Sequence, residues 1–266
     1  MGQTTGVTGR WALILGASSG FGEALALRLA ESGMNIAGVH LDRKSTLPHV
    51  AEIEARIRSH GVKSVFFNVN AADKEKRAQV IDELARATEG AGIHCLVHSL
   101  AFGALRPLVP ADEREKLTQE QLEMTLDVMA NSLVYWTQDL FYKKLLAPGG
   151  RIFAMTSSGS TRVWFSYGAV SAAKCALESY CRQLALELGP HGIAVNAIRA
   201  GVTDTPALRK IPGNEQIVAA ATERNPGRRL TTPDDVAMLV ALLVQEGGRW
   251  VSGNVLGVDG GEDIVG

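Results

Sequence analysis

Short, wholly apolar runs alternate with longer amphipathic stretches along almost the whole chain, and no other feature limits its fold so tightly. The runs are WALILG (11–16), MNIAGVHL (34–41), KSVFFNV (63–69), HCLVHSL (94–100), RIFAMTSS (151–158), GIAVNAIRAG (192–201) and NVLGVDGG (254–261). Between them, apolar residues at helical spacing predict helices over 21–33, 48–60, 73–89, 118–146, 167–188 and 233–246, the first stopped by Gly33. Strands that are apolar throughout must be covered on both faces, and strands separated by helices are joined by crossovers. The expected fold is α/β: one doubly wound parallel sheet, with helices on both faces, spanning 1–266 as one domain. Two irregular stretches, 101–117 and 202–232, are rich in Pro, Gly, Arg and Thr. In such a sheet they overhang the carboxyl ends of the strands, where ligands bind, so 202–232 is the candidate substrate-binding loop.

Composition narrows the function classes. A hydrophobic share of 46% with 21% charged residues is ample for a core, and a formal net charge of -1 speaks against nucleic acid or a basic membrane-facing surface. Cys95, Cys175 and Cys181 have no metal-ligand spacing, and so sparse and odd a count suits a reducing compartment. No metal site is expected. The N-terminal MGQTTGVTGR lacks an apolar signal core, and Gly6 stands where a myristoylation pattern needs Ser or Thr. With no run long enough to span a bilayer, a soluble cytoplasmic protein is the expectation.

GASSGFG joins the first strand to the first helix. Gly16, Gly20 and Gly22 allow a tight turn and close backbone approach to a pyrophosphate, at a helix N-terminus whose free N–H groups favour an anion. Ser18 and Ser19 add hydroxyl donors, and Phe21 lies between the last two glycines. A plainer reading, a turn that merely packs closely, is less fitting in the first strand–helix turn of an alternating chain. A Rossmann-type dinucleotide site follows.

A second pattern lies in SYGAVSAAKCALES (166–179), where Tyr167 and Lys174 stand seven apart. At roughly 100° per residue, positions four and seven before a residue both return to nearly its own face of a helix. Moving a tyrosine from the first place to the second shifts its origin by about one turn, roughly 4–5 Å along the axis. The bland alternative is a packed aromatic and a solvated lysine that share a helix.

The Gly-x3-Gly-x-Gly spacing, NVNAAD after the third strand, TSSG, AVNAIRAGVTDT and VSGNVLGVDGG together resemble the short-chain dehydrogenase/reductase family over nearly the whole chain. Most of that family carries Tyr-x3-Lys, an upstream serine, and an asparagine on the preceding helix. Here Val170 is four before Lys174 and Met129 stands in the asparagine's place, while Ser157 falls where the serine is expected. The pattern Tyr167-x6-Lys174 and the strand end VHSLAF (97–102) instead resemble enoyl-acyl-carrier-protein reductases. Many of those have a second tyrosine ten residues before the first; Ser157 holds that place here, as in a related branch.

The resemblance implies reduction of the 2,3 double bond of an enoyl thioester carried by acyl-carrier protein or coenzyme A. Tyr167 would stabilise the enolate oxygen. Lys174 would hold the nicotinamide ribose and favour charge near the phenol, and Ser157 would orient substrate or cofactor. It further implies that Asn68 and Val69 flank the adenine, Leu100 the ribose, and Thr203 and Thr205 the carboxamide. A homotetramer or homodimer is implied too, through the helix bearing the small residues Ala172, Ala173 and Ala176.

At the tip of the second strand, His40, Arg43 and Lys44 can embrace a 2′-phosphate and Asp42 would resist one. The expectation leans to NADP(H) over NAD(H), with both open. His98 reads as a satisfied structural histidine, and Phe102, Trp164, Phe165, Leu208 and Ile211 as apolar residues bordering an acyl site. Two rival readings stand: a secondary-alcohol, steroid or ketoacyl dehydrogenase using the same three residues, and a non-catalytic nucleotide-sensing module.

Overall fold

The computed structural model describes residues 6–265, so the reading of the extreme N-terminus falls on residues 1–5 that lie outside it. Seven strands form one sheet: β1 (Trp11–Leu15), β2 (Asn35–His40), β3 (Ser64–Asn68), β4 (Ile93–His98), β5 (Leu146–Ser157), β6 (Ala194–Ala200) and β7 (Val255–Val258). Their order is β3-β2-β1-β4-β5-β6-β7, and every pairing is parallel. The order reverses between β1 and β4, which pair from Trp11 with Ile93 to Leu15 with His98. The crevice beyond Leu15 and His98 is therefore the switch point where such sheets bind ligands.

Alternation along β1 divides the core. Leu13 and Leu15 face α3 (Lys74–Ala87), α5 (Ser132–Tyr142) and α6 (Gly168–Leu188), where Leu84, Trp136 and Leu177 pack. Ala12 and Ile14 face α1 (Gly20–Glu31), α2 (Leu47–Ser59) and α8 (Pro233–Leu243), where Leu29, Ile57 and Val240 pack. Both layers are needed, because a strand buried on two sides must be apolar at every position.

Three predicted elements differ in detail. The long helix expected over 118–146 is α4 (Gln119–Leu126), a π-helical turn (Asp127–Asn131) and then α5, which ends at Tyr142. The chain next enters β5 at Leu146, where Ile93 pairs with Leu146 and Cys95 with Arg151 across an irregular register. The stretch 202–232 is not irregular throughout: it contains α7 (Asn214–Arg224), whose one buried residue is Ala221. Among the described residues no helix is long and apolar enough to cross a membrane.

Candidate active site

The glycine loop begins where β1 ends. Gly16 has φ +90 and Gly20 φ +55, conformations that side chains other than glycine's rarely adopt. A Cβ on Gly16 would strike the carbonyl of Ser99, and one on Gly22 the carbonyl of Gly16, so the turn and the first turn of α1 interlock only as glycines. Ser19 precedes α1 without capping it through its side chain, which leaves the first amides available to an anion. A Cβ on Gly20 would point across the cleft to the Thr205 methyl at 3.5 Å. Thr205 and Thr203 are buried; the Thr205 hydroxyl accepts from Leu208 N and the Thr203 hydroxyl donates to Gly201 O. Leu100 lies against the Gly16 position. A pyrophosphate fits this set of amides and hydroxyls.

The tip of β2 departs from expectation. His40 is buried against Phe66, with Nδ1 2.9 Å from an Asp42 carboxylate oxygen, so it is not free to embrace a phosphate. Arg43 and Lys44 are exposed. Asp42 is held on three sides: Thr46 Oγ1 donates to it at 2.7 Å, His40 contacts it, and the Ser18 hydroxyl of the glycine loop bonds to it. Burial pushes its carboxyl up, but the hydrogen bonds from Ser18, Thr46 and His40 outweigh that and hold it below the usual carboxylate range. The Asn68 amide pairs with the backbone of Asp42 in both directions, and Val69 N donates to His40 O. Asn68 thus braces the β2 tip, and its side chain is committed there.

Tyr167 is the residue immediately before α6, and its carbonyl accepts from Ser171 N to close the first turn. Ser166 just ahead of it has φ +64, a costly backbone for serine that fixes where the phenol points. Trp164 packs edge-on against the ring at 6.1 Å. A Cβ on Gly159 would lie 2.5 Å from the ring and 3.1 Å from Ser157 Oγ, so the loop after β5 must be bare there for tyrosine and serine to meet. Burial raises the phenol's pKa and the Ser157 hydrogen bond only partly offsets it, so Tyr167 is a protonated donor. Lys174 is buried, and its Nζ donates to Met155 O at 2.7 Å. Burial lowers it to about 8, against a partial pull upward from Glu178. Its ammonium is turned toward β5 by that hydrogen bond.

Where a ketone reductase would carry its asparagine and tyrosine, apolar atoms fill the space. Met129, Thr125 and Val170 close on Gly103, whose added Cβ would lie 2.8 to 2.9 Å from all three side chains. Phe102, Val163 and Phe165 are exposed at the rim, with Leu108 lying over Gly168 at the start of α6. His98 is only half satisfied: Nε2 meets Ser132 Oγ at 2.8 Å, while Nδ1 is buried without a partner. Ser132 already donates to Val128 O, so Nε2 must be the donor; burial and nearby Lys174 lower the ring to about 3 and keep it neutral. On α6, Ala172 points outward but Ala173 is buried in the core, so Ala173 is not part of any open face.

Sequence reasoning did not find Met155, whose contribution is a main-chain oxygen, nor the hydrogen bond from Thr156 to Glu178. Glu178, four residues after Lys174, was visible as an i,i+4 charge pair.

A family model described as Enoyl-(Acyl carrier protein) reductase matches residues 16–262. The chain belongs to the short-chain dehydrogenase/reductase family. It is an oxidoreductase of that family, and its relatives are varied reductases. The 1-cyclohexenylcarbonyl-CoA reductase of Streptomyces collinus is 29% identical, over 95% of this chain and 86% of the relative. The crystal structure of enoyl-[acyl-carrier-protein] reductase (NADH) from Aquifex aeolicus VF5 superposes with a TM-score of 0.85 at 25% identity, covering 98% of each chain. A short-chain dehydrogenase from Burkholderia cenocepacia J2315, solved with NADP, gives a TM-score of 0.83 at 30% identity, covering 97% of this chain and 99% of that one.

Proposed function

We propose that this short-chain dehydrogenase/reductase reduces the 2,3 double bond of an enoyl thioester. The observation that carries the reading is the filled space four residues before Lys174, where Val170 packs with Met129 and Thr125 around Gly103 while Tyr167 stands one turn further out. When bound, the nicotinamide supplies a hydride, which in an enoyl thioester goes to C3. The oxygen that then gains charge lies beyond the double bond, farther off than in a ketone reduced at its own carbonyl carbon. A phenol displaced by about one turn, roughly 4–5 Å, suits that oxygen. Tyr167, kept protonated by burial, donates to it as an oxyanion-type partner, and Ser157 holds the phenol's orientation. Lys174 holds the nicotinamide ribose.

Asp42 moves the cofactor preference from the expected NADP(H) to NAD(H), because an ionised carboxylate bonded to Ser18 accepts from a ribose diol and repels a 2′-phosphate. The Streptomyces relative, by its name, acts on a coenzyme A ester of an enoyl acid, which supports a thioester carried by coenzyme A or by acyl-carrier protein, as in fatty acid biosynthesis. The segment 202–232 covers the acyl group. Assembly as a homotetramer or homodimer would use the outer face of α6 at Ala172 and Ala176, and the free thiols of Cys95, Cys175 and Cys181 suit the cytoplasm.

One observation favours a second reading. Contact between Ser157 and Tyr167 also suits a carbonyl reductase, in which serine would steady the ketone oxygen. Oxidation of NADH and NADPH with a 2-enoyl thioester and its matching 3-ketoacyl thioester separates the two. The enoyl substrate should be strongly preferred, and Tyr167→Phe should slow it by roughly a hundredfold or more with cofactor affinity retained. Preference for the keto substrate, with Tyr167→Phe abolishing it, would make this a carbonyl reductase. No turnover of either would leave nucleotide binding alone.

A further inference from the structure

The second strand ends in a histidine at a place where packing alone would accept an apolar residue. Side chains alternate along β2, so His40 stands on the same face as Ile36 and Gly38, the face covered by α1, α2 and α8. Gly38 pairs with Phe66 on β3, and a Cβ added there would lie 2.6 Å from the Phe66 ring, which fills the space that glycine leaves. The His40 ring packs against the same phenyl group, tilted by 50° with centroids 6.0 Å apart, and is only 5% exposed. Leucine or phenylalanine would make that contact without burying a polar group, which is costly unless the group is hydrogen-bonded. What the imidazole adds is an N–H: its Nδ1 lies 2.9 Å from Asp42 Oδ2.

The direction of that bond follows from its partners. Asp42 is ionised, and a carboxylate only accepts, so His40 Nδ1 carries the proton. The other carboxylate oxygen, Oδ1, accepts from Thr46 Oγ1 at 2.7 Å. His40 and Thr46 thus take one oxygen each and fix the plane of the carboxylate, and each oxygen keeps a lone pair for a ribose hydroxyl. The Ser18 hydroxyl of the glycine loop bonds to it as well. The backbone of Asp42 is held separately: its N donates to Asn68 Oδ1 at 2.9 Å, and its O accepts from Asn68 Nδ2 at 3.0 Å. Loss of the His40 donor would therefore free the carboxylate and leave the β2 tip in place.

We propose that His40 is a positioning residue for cofactor specificity, whose Nδ1–H sets the Asp42 carboxylate in the orientation that receives a ribose diol and turns away a 2′-phosphate. The proposal rests on the reading of Asp42 as the group that meets the adenosine ribose. Selectivity then belongs to the pair and not to the carboxylate alone. A carboxylate free to turn about its Thr46 bond loses its two-point hold on a diol and can swing away from a phosphate. NADH should lose affinity, and NADPH should lose less or gain.

Dissociation constants for both cofactors, by calorimetry with circular dichroism as the check on folding, read this directly. His40→Phe keeps a ring beside Phe66 and removes the donor. Its preference for NADH over NADPH should fall by roughly three- to tenfold, as for one lost hydrogen bond to a charged group. His40→Asn, whose amide can donate close to the place of Nδ1, should recover most of that preference. His40→Leu serves if the phenylalanine variant folds poorly. In an Asp42→Ala background there is no carboxylate to orient, so adding His40→Phe should change the ratio by less than about twofold. Equal weakening of both cofactors in His40→Phe, as from merely loosened packing, overturns the proposal. If Asp42→Ala shifts the ratio and His40→Phe does not, Asp42 discriminates without its histidine and this inference alone falls. If neither shifts it, the reading of Asp42 falls and takes the inference with it. A wild type that reduces no enoyl thioester, yet loses its NADH preference in His40→Phe, would remove the proposed reaction and leave this inference standing.

Discussion

The Asp42 carboxylate takes hydrogen bonds from Ser18, Thr46 and His40, and the first of these belongs to the glycine loop between β1 and α1, the candidate pyrophosphate site. A phosphate on the adenosine 2′-oxygen would have to lie beside an anion already held below the usual carboxylate range. Two unit charges at 4 Å repel by about 1 kcal/mol in water and by about 4 kcal/mol at the effective dielectric of a protein surface. Exposed Arg43 and Lys44 can swing toward a phosphate, but water screens them far more than it screens a carboxylate fixed by three donors. Asp42→Ala should therefore raise affinity for NADPH relative to NADH by roughly tenfold or more, as measured by calorimetry with both cofactors. Asp42→Asn, which keeps an acceptor for Thr46, separates lost charge from a loosened turn. An unchanged ratio in both variants would mean that the carboxylate only braces the β2 tip.

The turn between β1 and α1 carries a second test. Gly20 has φ +55 and faces Thr205 across the cleft, so valine there would be both strained and in the way of an anion, without touching the sheet. Gly20→Val should abolish nucleotide binding in calorimetry while the protein remains folded by circular dichroism; unchanged affinity would remove the assignment of the loop to a pyrophosphate. That loop was legible because its function needs residues with no Cβ at fixed spacing. The strands were legible for a similar reason: WALIL must be apolar at every position when buried on both faces. The π-helical turn at Asp127–Asn131 was not, since VMANSLV has one apolar pattern whichever way the turn is wound. Nor was α7, which buries only Ala221 and so leaves no stripe to read. Within the candidate site, Tyr167 and Lys174 stand out by residue type and spacing, and Ser157 by the family resemblance alone. The Met155 carbonyl that holds Lys174 leaves no such trace, and the burial of His40 against Phe66 depends on a neighbouring strand.

Across the whole molecule, one short segment at the C-terminal end ties together the loops that overhang the sheet. Asp263 pairs with Arg162 after β5 and with Arg199 on β6, both at 3.1 Å. Glu262 accepts from Val202 N at 3.0 Å and pairs with Arg224, while Asp259 O accepts from Asn225 Nδ2 at 2.8 Å. Thr231 N donates to Val202 O. The segment 202–232 is therefore anchored at both ends, whereas Asp204 in the stretch between pairs with Arg209, both of them exposed. Few apolar contacts and exposed backbone hydrogen bonds are the conditions for low-energy local opening. Hydrogen exchange of the ligand-free protein should find residues 206–222 among the least protected, and the anchored positions Val202, Asn225 and Thr231 distinctly slower. With NADH and a non-reducible acyl thioester bound together, protection should spread inward from the anchors, as when a loop closes on its ligand. Cofactor alone should do less, because the acyl group is what the middle of the segment is proposed to cover. Equal exchange with and without both ligands would make 202–232 ordinary scaffold, and the acyl group would then have to lie against the rim formed by Phe102, Leu108, Val163 and Phe165.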